Sequence, residues 1–182
     1  MSKVLMHATR LLSCCAVALS TVFAGCAPDA AEELAQGKLL LHVDQGRVVD
    51  APQALAHLRR AADQHSAAAA YHLGLLYRRG APGVDADPSA AMRWLRVAAQ
   101  ANVLQAQFML GQMLVAGEGG IARPLEARAW FEKAAEHDHP EANLELAMAH
   151  RRGDLGVKPD EAAADRYLME AQHALKHPPV EP

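Results

Sequence analysis

One pattern returns at a fixed interval and limits what this chain can fold into. Leu73-Gly74-Leu75-Leu76-Tyr77-Arg78-Arg79-Gly80 is followed by Leu110-Gly111-Gln112-Met113-Leu114-Val115-Ala116-Gly117, then by Leu146-Ala147-Met148-Ala149-His150-Arg151-Arg152-Gly153. Gly80, Gly117 and Gly153 are therefore 37 and 36 residues apart. A second pattern keeps the same step: Ala91-x-x-Trp94-Leu95 matches Ala127-x-x-Trp130-Phe131, and Ala163 to Ala171 forms a third copy with Arg166-Tyr167 in the aromatic positions. A degenerate fourth unit precedes these, with Ala54 to Ala62 as its second half, Gly46 in the place of Gly83, and a poorly matching first half from Glu33 to Leu41. A chain with this period is a stack of similar supersecondary units and not one irregular core.

Each unit reads as helix, loop, helix. Pro52, Pro88, Pro124 and Pro159 open the second helical patterns, where a missing first-turn amide costs nothing. Asp87 before Pro88 is placed to cap that helix. The glycine pairs Gly80/Gly83, Gly117/Gly120 and Gly153/Gly156 are expected to end the first helices and turn the chain through positive φ. The second helices are expected to end at His65, Asn102 and Asp138, of which His65 is the poorest fit to a left-handed cap. Gly74 and Gly111 are expected to let Ala98 and Ala135 approach. Alanine fills 39 of 182 positions, and beyond residue 25 there is no Thr and one Ile, Ile121. Such a composition favours close helices and excludes sheet-based folds. The expected class is all-α, an α/α solenoid of about three clear units plus the degenerate one.

The motif Ala69-x-x-x-Leu73-Gly74-x-x-Tyr77-x-x-Gly80, then Gly83-Val84, then Ala91-x-x-Trp94-x-x-x-Ala98-Ala99 resembles the Sel-one-like repeat, a tetratricopeptide-like family of helix pairs. The resemblance covers residues 67 to about 175 well and 38 to 66 weakly. The last unit departs from it, with His150 for Tyr77 and Arg166 for Trp94. The resemblance implies that the first helices line the concave side, and that the protein is an adaptor or scaffold and not an enzyme. It names no partner.

The N-terminus reads as an address. Lys3 and Arg10 precede an apolar run from Leu11 to Gly25 that ends Phe23-Ala24-Gly25-Cys26. This ending resembles a bacterial lipobox, although Phe is a less common opening residue than Leu; an ordinary signal peptide is the other reading. On the lipobox reading, residues 1–25 are removed and Cys26 carries a covalent lipid, so the membrane is reached through that anchor. Residues 26–37 then form a tether and the start of a capping helix, 38–66 the degenerate repeat, 67–175 the three clear repeats, and 176–182 a Pro-rich tail. Ala27 at the second mature position resembles outer-membrane sorting, with the protein facing the periplasm. Removing Lys3 and Arg10 leaves 16 basic against 21 acidic residues, a net charge of -5 in place of -3. That balance offers no basic footprint for nucleic acid.

The candidate partner surface follows from helical spacing. Tyr71, Leu75 and Arg78 share a face, as do Phe108, Gln112 and Val115, then Leu144, Met148 and Arg151. Aromatic, aliphatic and Arg side chains suit capture of a protein or peptide, although Tyr71 and Phe108 also suit packing between units. Arg78-Arg79 and Arg151-Arg152 end first helices, where cations complement the helix dipole and where they could also grip an acidic partner. His137 and His139 lack the companions of a metal site. His57, in the place of Trp94, reads as a packing substitute, and Glu32-Glu33 and Asp160-Glu161 as helix-start acids. No catalytic residue, cofactor or metal is expected. The expected function is an anchored interaction adaptor working with another envelope protein or peptide, within an envelope or exopolysaccharide export assembly. An envelope enzyme or binder acting on cell-wall fragments is the alternative.

Overall fold

The computed structural model describes residues 28–41 and 50–176. Among the described residues eight helices follow one another: α1 Ala30–Leu41, α2 Ala51–Asp63, α3 Ala67–Arg79, α4 Pro88–Gln100, α5 Leu104–Ala116, α6 Pro124–Ala135, α7 Pro140–Arg152 and α8 Glu161–Lys176. Among the described residues the one β feature is an isolated bridge between Ala81 and Val84. Odd helices pack on the even helix that follows, and each even helix packs on the next odd one. The result is an all-α solenoid of four helix pairs. Cys26, Gly46, the leader and residues 177–182 lie outside the described residues.

The repeat is written into the caps. Asp29, Ser66 and His139 each accept a hydrogen bond from the backbone N–H three residues on, at Glu32, Ala69 and Ala142. Val103 holds the same place before α5 without a side-chain bond. Asp50, Asp87 and Asp160 do likewise for Gln53, Ala90 and Ala163, while Arg123 stands uncapped before α6. Each such bond satisfies an amide that has no partner inside its helix. Helices of 12 to 16 residues are marginal alone, so these ends and the stacking define them together.

Two kinds of close approach require glycine. Within a unit, a Cβ on Gly74 would lie 2.6 Å from Leu95, and one on Gly111 2.4 Å from Phe131. The approaching side chains are therefore Leu95 and Phe131, one turn ahead of the expected Ala98 and Ala135. Gly37 meets Leu58 in the same way, at 2.8 Å. The first helix of the degenerate unit thus keeps the packing contact although its sequence match is poor, and the expected boundary at residue 38 falls inside α1.

Between units, positive-φ glycines in the loops seat against the preceding second helix. Gly83 meets Pro52, Gly119 meets the Pro88 carbonyl, and Gly156 meets Leu125. In the third unit this glycine is Gly119, at φ +74°, and not the expected Gly120, whose Cβ would meet nothing within 4 Å. Ser89 Oγ donates to the Gly119 carbonyl at 3.2 Å and fixes that seat. His65, Asn102 and Asp138 follow the second helices at φ of 67°, 63° and 59°, as expected.

Burial sets the register of the last helix one residue from the expected one. Buried alanines recur at Ala54, Ala91, Ala127 and Ala164, and again at Ala61, Ala98, Ala134 and Ala171. Tyr167 therefore stands in the place of Trp94 and Trp130, and Leu168 in that of Leu95 and Phe131. Arg166 is an exposed surface residue. Pro159 precedes the cap Asp160, whereas Pro52, Pro88 and Pro124 follow theirs.

Candidate partner-binding face

The first helices α3, α5 and α7 place the nine candidate residues at equivalent positions, three on each, but stacking treats them differently. Tyr71 is half-buried against the core. Phe108 stacks on His139 with ring centroids 4.8 Å apart and tilts onto Phe131 at 5.8 Å. Phe108 thus packs on the second helix of its own unit and on the cap of α7, and Leu75 and Gln112 are half-buried. Val115, Leu144 and Met148 remain 44%, 39% and 43% exposed. They form the open apolar part of the face, at its C-terminal half.

The two arginines at equivalent positions also differ. Arg78 donates through Nε and Nη2 to both oxygens of Glu118, at 2.8 and 2.7 Å. This bidentate geometry is the strongest an Arg–carboxylate pair can adopt. The arginine hydrogen bonds hold the Glu118 carboxyl below the usual carboxylate range and raise Arg78 in turn. Arg151 is exposed, with Asp165 at 3.3 Å and Glu161 at 3.6 Å. Arg152 pairs with Asp154 at 2.7 Å. Arg151 is thus more open to solvent than Arg78, while it already faces the Asp165 and Glu161 carboxylates. Glu118 escapes a reading of single motifs; its signal is an acid in the next unit's loop, 40 residues after Arg78.

Three other polar groups have roles that spacing did not reveal. Glu33 is buried and takes Arg60 Nε at 2.8 Å and His57 Nδ1 at 2.6 Å. The Arg60 hydrogen bond keeps its pKa below the ordinary value. Glu33 is thus a tie between α1 and α2 and more than a helix-start acid, and His57 serves that tie. His139 lies buried at the start of α7, where its Nδ1 accepts from Ala142 at 3.4 Å. Burial lowers its pKa, against a smaller opposing effect of the Glu141 carboxylate. The neutral ring is the form that can accept that bond. Among the described residues no three His, Cys, Asp or Glu side chains gather as they would around a metal ion.

A cleft of about 610 Å³ between α6 and α8 is lined by Glu132, Glu136, Asp138 and Glu170, with Arg166 and Tyr167. Burial, and then the neighbouring carboxylates, raise the Tyr167 pKa. The lining contains no Ser, Cys or Lys nucleophile beside a base.

The Sel1 repeat model matches residues 28–66, 67–103, 104–139 and 140–168, one match for each pair. The chain belongs to the Sel1 repeat family. Its first match begins at residue 28, as the packing of α1 requires. Repeats of this family mediate protein–protein interactions and are typically non-catalytic. A crystal structure of a Sel1 repeat protein from Oxalobacter formigenes superposes with a TM-score of 0.71 at 30% identity, covering 80% of this chain and 57% of that one. An exopolysaccharide production negative regulator of Rhizobium leguminosarum bv. viciae is 42% identical over 69 residues, which is 36% of this chain and 26% of the relative. The alginate biosynthesis protein AlgK of Pseudomonas syringae pv. tomato is 34% identical over 127 residues, 70% of this chain and 26% of the relative. The chain thus spans about a quarter of the length of these relatives.

Proposed function

We propose that this Sel1 repeat protein is an acylated adaptor of the bacterial envelope, anchored at Cys26 in the outer membrane and facing the periplasm. It holds another envelope protein or peptide, and it carries out no reaction of its own. The observation that carries the binding surface is the exposed strip Val115, Leu144 and Met148 beside Arg151. Apolar groups next to a guanidinium fit a segment that presents aliphatic side chains and a carboxylate. The polysaccharide-production relatives support a place in an exopolysaccharide or related envelope assembly. The anchor rests on the Phe23-Ala24-Gly25-Cys26 ending.

Two variants separate the parts of this reading. Cys26→Ser is expected to lose the acyl mass and release the protein from membranes; retention without acylation contradicts the anchor. Met148→Asp is expected to abolish partner recovery from detergent extracts while the helical fold stays intact. Unchanged recovery contradicts the surface.

A further inference from the structure

The first helices that carry the candidate face meet solvent unequally. α3 exposes Arg79 alone, and α5 exposes Val115 and Ala116. α7 exposes five residues: Glu141, Leu144, Met148, Arg151 and Arg152. Their three- and four-residue steps set all five along one face, with the half-buried Glu145 beside them. Read from end to end, the strip changes chemistry in a fixed order. An acid stands in the first turn, two apolar side chains follow one turn apart, and guanidinium groups stand in the last turn.

We propose that this strip is self-complementary and that its occupant is a second copy of the chain, whose α7 crosses it antiparallel about a two-fold axis at the level of Leu146. The inference rests on the surface in the reading above and names its partner. Turning the strip end for end about position 146 sets Glu141 opposite Arg151 and Leu144 opposite Met148. Each pair recurs on the other side of the axis, as an isologous interface requires. Apolar side chains then meet apolar ones, carboxylate meets guanidinium, and the two helix dipoles oppose each other. A parallel, in-register pair would set Glu141 against Glu141 and Arg151 against Arg151 instead. Both charged groups have capacity for the contact. Glu141 is 58% exposed, with Nδ1 of the His139 ring at 3.3 Å. Arg151 has Asp165 at 3.3 Å on one Nη and Glu161 at 3.6 Å from Nε, both exposed carboxylates, which leaves guanidinium donors for a second acid. Arg152 is taken by Asp154 at 2.7 Å, so Arg151 is the cation offered. A strip on one 13-residue helix is small beside the roughly 1,000 Å² of a stable free-standing interface. Copies anchored in one membrane are concentrated there, and a weak contact suffices.

The test uses the full acylated protein in its native membranes, with two differently tagged copies carrying Leu144→Cys and Met148→Cys and copper phenanthroline as oxidant. Both positions are exposed, so neither needs the fold to open. The mixed 144–148 disulfide is expected to form several-fold faster than 144–144 or 148–148, which the two-fold axis offsets by about 6 Å along the helices. Glu141→Arg and Arg151→Glu are each expected to cut the mixed yield several-fold, and the double variant to recover it. The two positions lie about 15 Å apart along α7, beyond the screening length of about 10 Å, so recovery reports pairing between copies. Equal rates for the three disulfides, or a double variant as weak as the singles, overturns the antiparallel pairing. No disulfide dimer, while Met148→Asp still abolishes recovery of a different protein, overturns the second copy and leaves the surface standing. Recovery unaffected by Met148→Asp overturns the surface, and this inference with it.

Discussion

Arg78 and Glu118, 40 residues apart, are joined by two hydrogen bonds of 2.8 and 2.7 Å across a repeat boundary. The pair links the end of α3 to the loop after α5, so one unit's cation is satisfied by the next unit's acid. Both groups keep some contact with solvent, and salt and side-chain entropy limit what the pair contributes. A double-mutant cycle of Arg78→Ala and Glu118→Ala is expected to give a coupling of about 0.5–1 kcal/mol by denaturant unfolding. Each single variant is expected to keep partner binding. A loss of binding in Glu118→Ala, with stability unchanged, contradicts the clasp.

The loop glycines after α5 make a sharper contrast. A Cβ at Gly119 meets the Pro88 carbonyl oxygen at 2.7 Å, and it would have to sit on a backbone at φ +74° that side chains rarely adopt. Gly119→Ala is expected to destabilise by about 1–3 kcal/mol. Gly120→Ala meets nothing within 4 Å and is expected to be neutral, or to stabilise by up to about 1 kcal/mol through the unfolded chain. The midpoints of chemical unfolding decide, and equal effects at the two positions contradict the seat between units.

Gly111→Ala tests the contact inside a unit. The added methyl would lie 2.4 Å from Phe131, a fully buried ring. A cost of about 1–3 kcal/mol is expected. Phe131→Leu, which copies the Leu95 found beside Gly74, is expected to recover part of that loss in the double variant. Strict additivity of the two changes contradicts direct contact.

His139 gives the fold a pH dependence of defined sign. Its ordinary value is 6.5, and burial holds the folded value lower. As pH falls below 6.5, the unfolded chain takes up this proton before the folded one does, so stability falls with it. The loss stops growing once pH is below the folded value as well. The cap contributes fully above about pH 7.5, where both states are neutral. His139→Asn keeps a capping side chain and does not titrate. Its unfolding free energy is expected to fall less between pH 7.5 and 5 than that of the wild type. Parallel curves contradict the neutral-ring cap.

The stacked helix pairs were legible in the sequence because small residues, helix stops and caps repeat at one period. What failed to show was any feature in which the period and a single landmark disagree. Pro159 matched the other prolines by spacing, yet Asp160 caps α8, and the apparent aromatic pair slipped by a residue to Tyr167 and Leu168. Gly119 and Gly120 are adjacent, and only the position of Pro88 separates them. Gly37 was hidden by weak matching around it, although its contact with Leu58 is the same as in later units. The candidate residues do take equivalent positions on α3, α5 and α7, but spacing along one helix says nothing of the next unit. Stacking half-buried Tyr71 and Phe108, and Glu118 took Arg78.

On the proposed reading the partner sits on Val115, Leu144 and Met148, two of them on α7. Site-specific photo-crosslinking in intact cells tests it most directly, with the photoreactive residue at Met148 and, for comparison, at Val97, which is 50% exposed on a second helix. A discrete crosslinked band at 148, absent at 97 and lost with Arg151→Glu, is the predicted result. Equal crosslinking at 97 and 148, or none at 148 in a cell where the protein is correctly anchored, contradicts it.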